Sequence, residues 1–300
     1  MPENPRPVFW SAVPTPLTND LTVDPDAVSR VIDDAVQSGM AGLFLGGTCG
    51  EGPWLPDVER RRLVETAAKA ANGRLCLAAQ VSDNSVPRVR DNIRQMADAG
   101  ADVAIVSSPA TFLNATADRI VDFFAGAVDA SELPVGVYDL GEHRPVHLPV
   151  DRLAEIYRLP KVCLVKDSSG NVERRAQALA VARERPDLQL FNGDEFRCLE
   201  YLEAGYTGMM FGGAIAIAAQ MHRIASRWVE GDLETARAED EAMRQVLFGI
   251  YGGSAITCWL TGLKHYLVRR GLFTSEASFL GYPLTDDCRA FIEQLTAESA

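Results

Sequence analysis

The chain has 300 residues, 47% of them hydrophobic and 23% charged, enough apolar material for a large core and too much for a disordered chain. Its 41 acidic against 29 basic residues give a net charge of −12 with no basic block or stripe, which argues against a nucleic-acid partner. No apolar run reaches the roughly 18 residues a membrane span needs, the N-terminus lacks a basic stretch leading into an apolar one, and the six cysteines show no C-x-x-C pair, so the expectation is a cytoplasmic chain with reduced thiols and no membrane partner.

Short β-like runs alternate with amphipathic stretches through the first 214 residues. Strands are predicted at 8–13, 42–45, 75–81, 103–106, 135–138, 162–165, 188–191 and 208–211, and helices between them at 25–38, 56–71, 86–99, 117–130, 150–158, 172–185 and 195–204. Asp24 before Pro25, Leu55 before Pro56 and Asn171 before a helical run read as helix openings. Seven helical crossovers joining eight strands predict an α/β TIM (β/α)8 barrel, although an open doubly wound sheet uses the same alternation. The even spacing and the lack of G-x-G-x-x-G after the first strand favour the barrel. From Ile215 onward the chain reads as helices only, with no Pro, Gly or Ser-rich linker. The expectation is a single domain over 1–300: a barrel core through strand eight (1–214), then a final barrel helix and a C-terminal helical extension (215–300).

In such a barrel, chemistry belongs at the C-terminal ends of the strands. There Lys166 follows the apolar run Val162 to Val165, in a chain with only four lysines. A buried lysine amine can act as a nucleophile toward a ketone. From position alone that reading stands level with a lysine whose stem packs on the rim, or one paired with Asp167. Tyr138 closes the preceding strand, where a phenol can relay a proton or simply cap the core. The loop GGTCGEG, Gly46 to Gly52, has the glycines that let backbone N–H groups approach a carboxylate, and Thr48 adds a hydroxyl. His143 and His147 are four apart, but Pro145 between them prevents a shared helical face, so no metal site is expected.

Together, G-T-C-G-E at Gly47 to Glu51, Tyr138 after its strand and K-D-S-S-G-N from Lys166 resemble the dihydrodipicolinate synthase and N-acetylneuraminate lyase family. "AVPTPLTND", "FNGDE" and "LKHYLVRRGL" fall in the family's order, so the resemblance covers nearly the whole chain. It implies a homodimeric or homotetrameric barrel that forms a Schiff base with pyruvate or another 2-oxo acid and needs no cofactor. Lys166 matches the imine-forming lysine, Tyr138 the acid/base, and Thr48 the hydroxyl linking the tyrosine to substrate, while Gly47, Thr48 and Cys49 match the carboxylate-binding turn.

Some positions depart from the family. Cys49 stands where threonine is usual, and Pro109-Ala110-Thr111-Phe112 replaces a tyrosine that reaches a neighbouring subunit's site. Arg144 comes one residue later than the arginine that holds the synthases' second substrate. Gly193, Asp194 and Glu195 are similar to the sugar-contacting residues of sialic acid lyases, Ser168 falls at their threonine and Gly212 at their serine. Asp194 and Glu195 equally suit capping of the next helix. The preferred expectation is a Schiff-base lyase acting on a 2-oxo-3-deoxy sugar acid, by aldol cleavage or condensation or by dehydration, which share the imine. The alternatives are 4-hydroxy-tetrahydrodipicolinate synthase, joining pyruvate to aspartate semialdehyde, and a non-catalytic 2-oxo acid-binding barrel.

Overall fold

The computed structural model describes residues 4–297. Eight strands, β1 (Val8–Ser11), β2 (Gly42–Leu45), β3 (Cys76–Gln80), β4 (Val103–Ser107), β5 (Val135–Asp139), β6 (Val162–Asp167), β7 (Gln189–Asn192) and β8 (Gly208–Phe211), close into a barrel in sequence order. All pairings are parallel, and β8 returns to β1. The crossovers are α1 (Pro25–Gln37), α2 (Asp57–Ala71), α3 (Val86–Asp98), α4 (Ala117–Asp129), α5 (Leu153–Tyr157), α6 (Val172–Glu184) and α7 (Cys198–Ala204), followed by α8 (Ala214–Glu230). Beyond them lie α9 (Leu233–Tyr251), α10 (Trp259–Arg269) and α11 (Asp286–Ala297). Asp24 caps α1 through the N–H groups of Asp26 and Ala27, and Asn171 caps α6 through those of Glu173 and Arg174.

Three expectations are corrected. The stretches 150–158 and 195–204 each open with a 3-10 turn (Val150–Arg152 and Glu195–Arg197), so α5 and α7 are short. Strand six runs on to Asp167, so Lys166 lies within the strand rather than past its end. The last third is not all helix: residues 271–285 form an irregular segment between α10 and α11.

The strands are apolar on both faces because both are covered. Inside the barrel pack Trp10, Phe44, Ile105, Leu164, Phe191 and Met210, among others, and the outward residues meet the helices in a second, larger core. Trp10 needs Gly42: a Cβ there would lie 2.6 Å from the indole and 2.7 Å from the Cys76 carbonyl oxygen.

Alternation along β5 and β6 places Tyr138 and Lys166 inward and their successors Asp139 and Asp167 outward. Both carboxylates are buried and anchored from outside the barrel. Asp139 takes a bidentate bond from Arg174 of α6 (2.7 and 2.8 Å), with further bonds from the Tyr157 hydroxyl (3.1 Å) and the Gly141 N–H (2.9 Å). Arg174 also donates to the Leu148 carbonyl (2.7 Å), so its guanidinium is satisfied on two sides. Asp167 accepts from the Ser169 N–H and hydroxyl and from the Tyr206 hydroxyl (2.9, 2.6 and 2.8 Å). Burial still pushes the Asp167 carboxyl above the usual carboxylate range, against the pull of those bonds.

Two stability measurements follow from this packing. Gly42→Ala should lower the urea unfolding midpoint by an amount equivalent to about 1–3 kcal/mol, because the clash falls partly on backbone. Arg174→Leu strands the buried Asp139 and should cost about 3–5 kcal/mol; Arg158→Leu, whose Glu184 partner is exposed, should leave the midpoint nearly unchanged.

Candidate active site

Ser107, Tyr138, Lys166 and Phe191 are successive register partners across β4 to β7, so their side chains form one inward-facing layer near the strand ends. Lys166 is 4% exposed, with Nζ 4.3 Å from the Tyr138 ring centroid and 5.3 Å from that of Phe44. Phe44 stands edge-on to Tyr138 at 5.7 Å. Among the described residues Nζ has no ion pair or hydrogen bond, and Asp167, the partner that chain position suggests, is committed to the other face of the sheet. Gly193 keeps the lysine's space open: a Cβ there would lie 2.8 Å from Lys166 Cε and 2.1 Å from Ser168 Oγ. That Ser168 hydroxyl is buried without a hydrogen-bond partner among the described residues.

The glycine loop follows β2 and is held by its own glutamate. Glu51 takes a left-handed backbone conformation (φ 57°) and is fully buried. Its carboxylate pairs with Lys264 of α10, both side chains at 0% exposure, and accepts from Ser278 Oγ (2.8 Å) and the Phe279 N–H (2.6 Å). Lys264 also donates to the Ala277 carbonyl (2.6 Å), and Thr15 after β1 donates to the Gly50 carbonyl (2.5 Å). Burial pulls the Lys264 ammonium below its ordinary range while Glu51 opposes the shift. Gly47 lies against the Phe44 ring, Cys49 lies against Gly212, and Thr48 is half-buried on the same loop. Burial, reinforced by Glu195, pushes the Cys49 thiol far up, so it is a neutral thiol.

The remaining candidates are engaged differently. Glu195 accepts from the Tyr251 hydroxyl (2.6 Å) and the Gly213 N–H (2.7 Å), so each of its oxygens already has an internal partner. Burial raises its pKa against those two bonds and the nearby Lys166 charge. Asp194 caps the turn that follows it through the Phe196 N–H and lies 3.5 Å from Arg197. These two residues therefore perform the capping and packing work that competed with sugar contact in the sequence reading. His147 Nδ1 is bonded to the Arg144 carbonyl oxygen (2.9 Å) and His143 ends a separate 3-10 turn.

Arg144 lines a cavity of about 380 Å³ at the rim, together with Gln80, Ser82, Asp83, Ser107 and Ser108. Two other arginines there are neutralised: Arg60 lies 2.6 Å from Asp57, and Arg88 lies 2.7 Å from Asp83. Arg144 has no ion pair and its guanidinium makes no hydrogen bond among the described residues. Lys166 and Tyr138 do not line this cavity; Ser107, the register neighbour of Tyr138, joins the two regions.

Sequence reasoning overlooked Gln80, Lys264 and Arg174. Lys264 carried a signal in the scarcity of lysine, the same signal that drew attention to Lys166. Arg174 carried none among 29 basic residues.

Comparison with known proteins gives a consistent answer. The family model described as the dihydrodipicolinate synthetase family matches residues 8–287. A 4-hydroxy-tetrahydrodipicolinate synthase of Hyphomonas neptunium is 30% identical over 77% of this chain and 79% of its own length. That of an Exiguobacterium species is 27% identical over 76% of each. Among solved structures, dihydrodipicolinate synthase from Bacteroides thetaiotaomicron superposes with a TM-score of 0.87 at 24% identity, covering 99% of both chains. YagE of E. coli K12, solved in complex with pyruvate, gives 0.86 at 19% identity, covering 97% of this chain and 98% of its own. No helix of the described residues is long and apolar enough to cross a membrane. With a family match across almost its full length, the chain belongs to the dihydrodipicolinate synthetase family of Schiff-base lyases.

Proposed function

We propose that Lys166 forms a Schiff base with pyruvate or a close 2-oxo acid, and that the resulting enamine condenses with an aldehyde bearing a carboxylate, as in 4-hydroxy-tetrahydrodipicolinate synthases acting on aspartate semialdehyde. The observation carrying this reading is a buried lysine with no anionic partner among the described residues, over the ring of its register-paired tyrosine. The amine attacks the ketone carbon, and the carbinolamine loses water to give an imine. Loss of a proton from the neighbouring carbon gives the enamine, which forms the carbon–carbon bond; hydrolysis then frees product and amine. Tyr138, beside Nζ, is suited to carry protons on and off the oxygen atoms, with Thr48 as its link to substrate. Backbone N–H groups of Gly47, Thr48 and Cys49 are the proposed carboxylate donors, since a neutral thiol is a weak one.

Arg144 supports a carboxylate on the second substrate, because it is the arginine of the cavity lacking an acidic partner among the described residues. The names of the curated relatives point the same way. A 2-oxo-3-deoxy sugar acid remains a second reading, favoured by the serines and Gln80 in the cavity lining but deprived of Glu195 as a free acceptor.

Borohydride reduction in the presence of pyruvate, read by peptide mass spectrometry, should leave an adduct on Lys166 and none in Lys166→Ala. If no 2-oxo acid can be trapped on the wild-type chain, the imine mechanism is wrong. Arg144→Leu should raise KM for a carboxylated aldehyde about tenfold to a hundredfold while trapping of pyruvate stays unchanged; an unchanged KM would remove Arg144 from the second-substrate site.

A further inference from the structure

Gln80, the last residue of β3, is 7% exposed and lines the rim cavity. Its Nε2 donates to Ser107 Oγ (3.1 Å), and Ser107 passes its own hydrogen to Ser82 Oγ (3.2 Å), which also accepts from the Ser107 N–H (2.6 Å). This relay has two loose ends. Among the described residues Gln80 Oε1 is buried with no hydrogen-bond partner, and the Ser82 hydroxyl donates to no protein acceptor. A buried amide oxygen left unpaired costs stability, typically about 1–3 kcal/mol in mutational series; Arg60, which lines the same cavity and has an unpaired buried Nε, makes no bond to it, so the partner sought for it here is a donor carried by a ligand.

The location indicates which molecule brings that donor. Gln80 sits between the glycine loop, where a Gly46 Cβ would come within 3.8 Å of the Gln80 Cβ, and Ser107, the register neighbour of Tyr138. The same cavity holds the unpaired Arg144. The residues lining it supply a cation, a spare hydroxyl donor and a spare, fully enclosed amide acceptor. A carboxylate can use the first two, but an acceptor needs an N–H or O–H group.

We propose that Gln80 determines specificity for the second substrate: its amide oxygen accepts a hydrogen bond from an ammonium or hydroxyl group carried by the aldehyde that condenses with the lysine-bound 2-oxo acid. The inference rests on the imine chemistry assigned to Lys166 and adds the chemical class of the aldehyde. It differs from a structural role, in which Gln80 merely ties β3 to β4, because that role does not distinguish between aldehydes.

The test measures pyruvate consumption with two aldehyde pairs, each differing by one donor: aspartate semialdehyde against succinate semialdehyde for an ammonium, and 2-hydroxypropanal against propanal for a hydroxyl. The wild-type chain should prefer the donor-bearing member of at least one pair, and which pair shows the preference identifies the donor. Gln80→Leu should lower kcat/KM for that member about tenfold or more, chiefly through KM, while its analogue and borohydride trapping of pyruvate stay unaffected. Gln80→Glu, which keeps an acceptor, should keep the preference. The proposal is overturned if the wild-type chain shows no preference in either pair, if Gln80→Leu retains it, or if that variant depresses both members alike. Successful trapping with any of those results would sink this proposal alone; failed trapping in the wild-type chain would sink it together with the imine reading.

Discussion

The bidentate bond between Asp139 and Arg174 is the constraint on which the site's geometry rests. Tyr138 and Asp139 are consecutive on β5, as are Lys166 and Asp167 on β6, and in each pair one residue faces the barrel interior and the other faces the helices. Fixing the outward residue fixes the inward one, because a strand cannot rotate one side chain without its neighbour. Asp139 is joined to α6 through Arg174, to α5 through Tyr157, and to the following turn through Gly141. The pair lies in low dielectric, where leaving either charge alone would be costly, so the arrangement holds as a unit or not at all.

Two buried lysines in one molecule show how environment separates roles. Lys264 is enclosed with a carboxylate and a carbonyl oxygen, and serves to fasten the glycine loop to α10 and to the irregular segment 271–285. Lys166 is enclosed with aromatic faces and a glycine that yields space, and has no comparable anion. The first is a mechanical fastening; the second retains an uncommitted amine. Because the loop is tied to the C-terminal helices, those helices belong to the structure of the rim and are not a separate appendage.

The barrel was readable in the sequence for a physical reason: strands covered on both faces appear as unbroken apolar runs, and β2 and β8 fall where the runs at 42–45 and 208–211 put them. Lys166 and Tyr138 were conspicuous because a polar residue ending such a run lacks an apolar explanation. What could not be read was every feature depending on a distant partner. Glu51 meets Lys264 across 213 positions, and no local pattern announces that meeting. Nor could composition show that 271–285 would abandon the helix to offer the Phe279 N–H and Ser278 hydroxyl to the loop. Glu195 looked like an acceptor for ligand hydroxyls until Tyr251, 56 positions away, was seen to occupy it. Sequence thus revealed the lysine, the tyrosine and the loop, whereas the uses of Gln80, Glu195 and Lys264 are properties of the closed structure.

The scarcity of lysine has a practical side. Of the four, Lys166 and Lys264 are buried, and the exposed Lys161 has its ammonium on the carbonyls of Asp129 and Ser131 (2.8 and 2.7 Å). Lys69 remains as the exposed, uncommitted side-chain amine of the described residues, in the last turn of α2. That helix runs from the mouth of the barrel back toward its base, so Lys69 sits on the side opposite the rim cavity. Among the lysine side chains, coupling to a bead, an electrode or a dye therefore has a built-in address at Lys69, and a chain attached through it would present its open end to the solution.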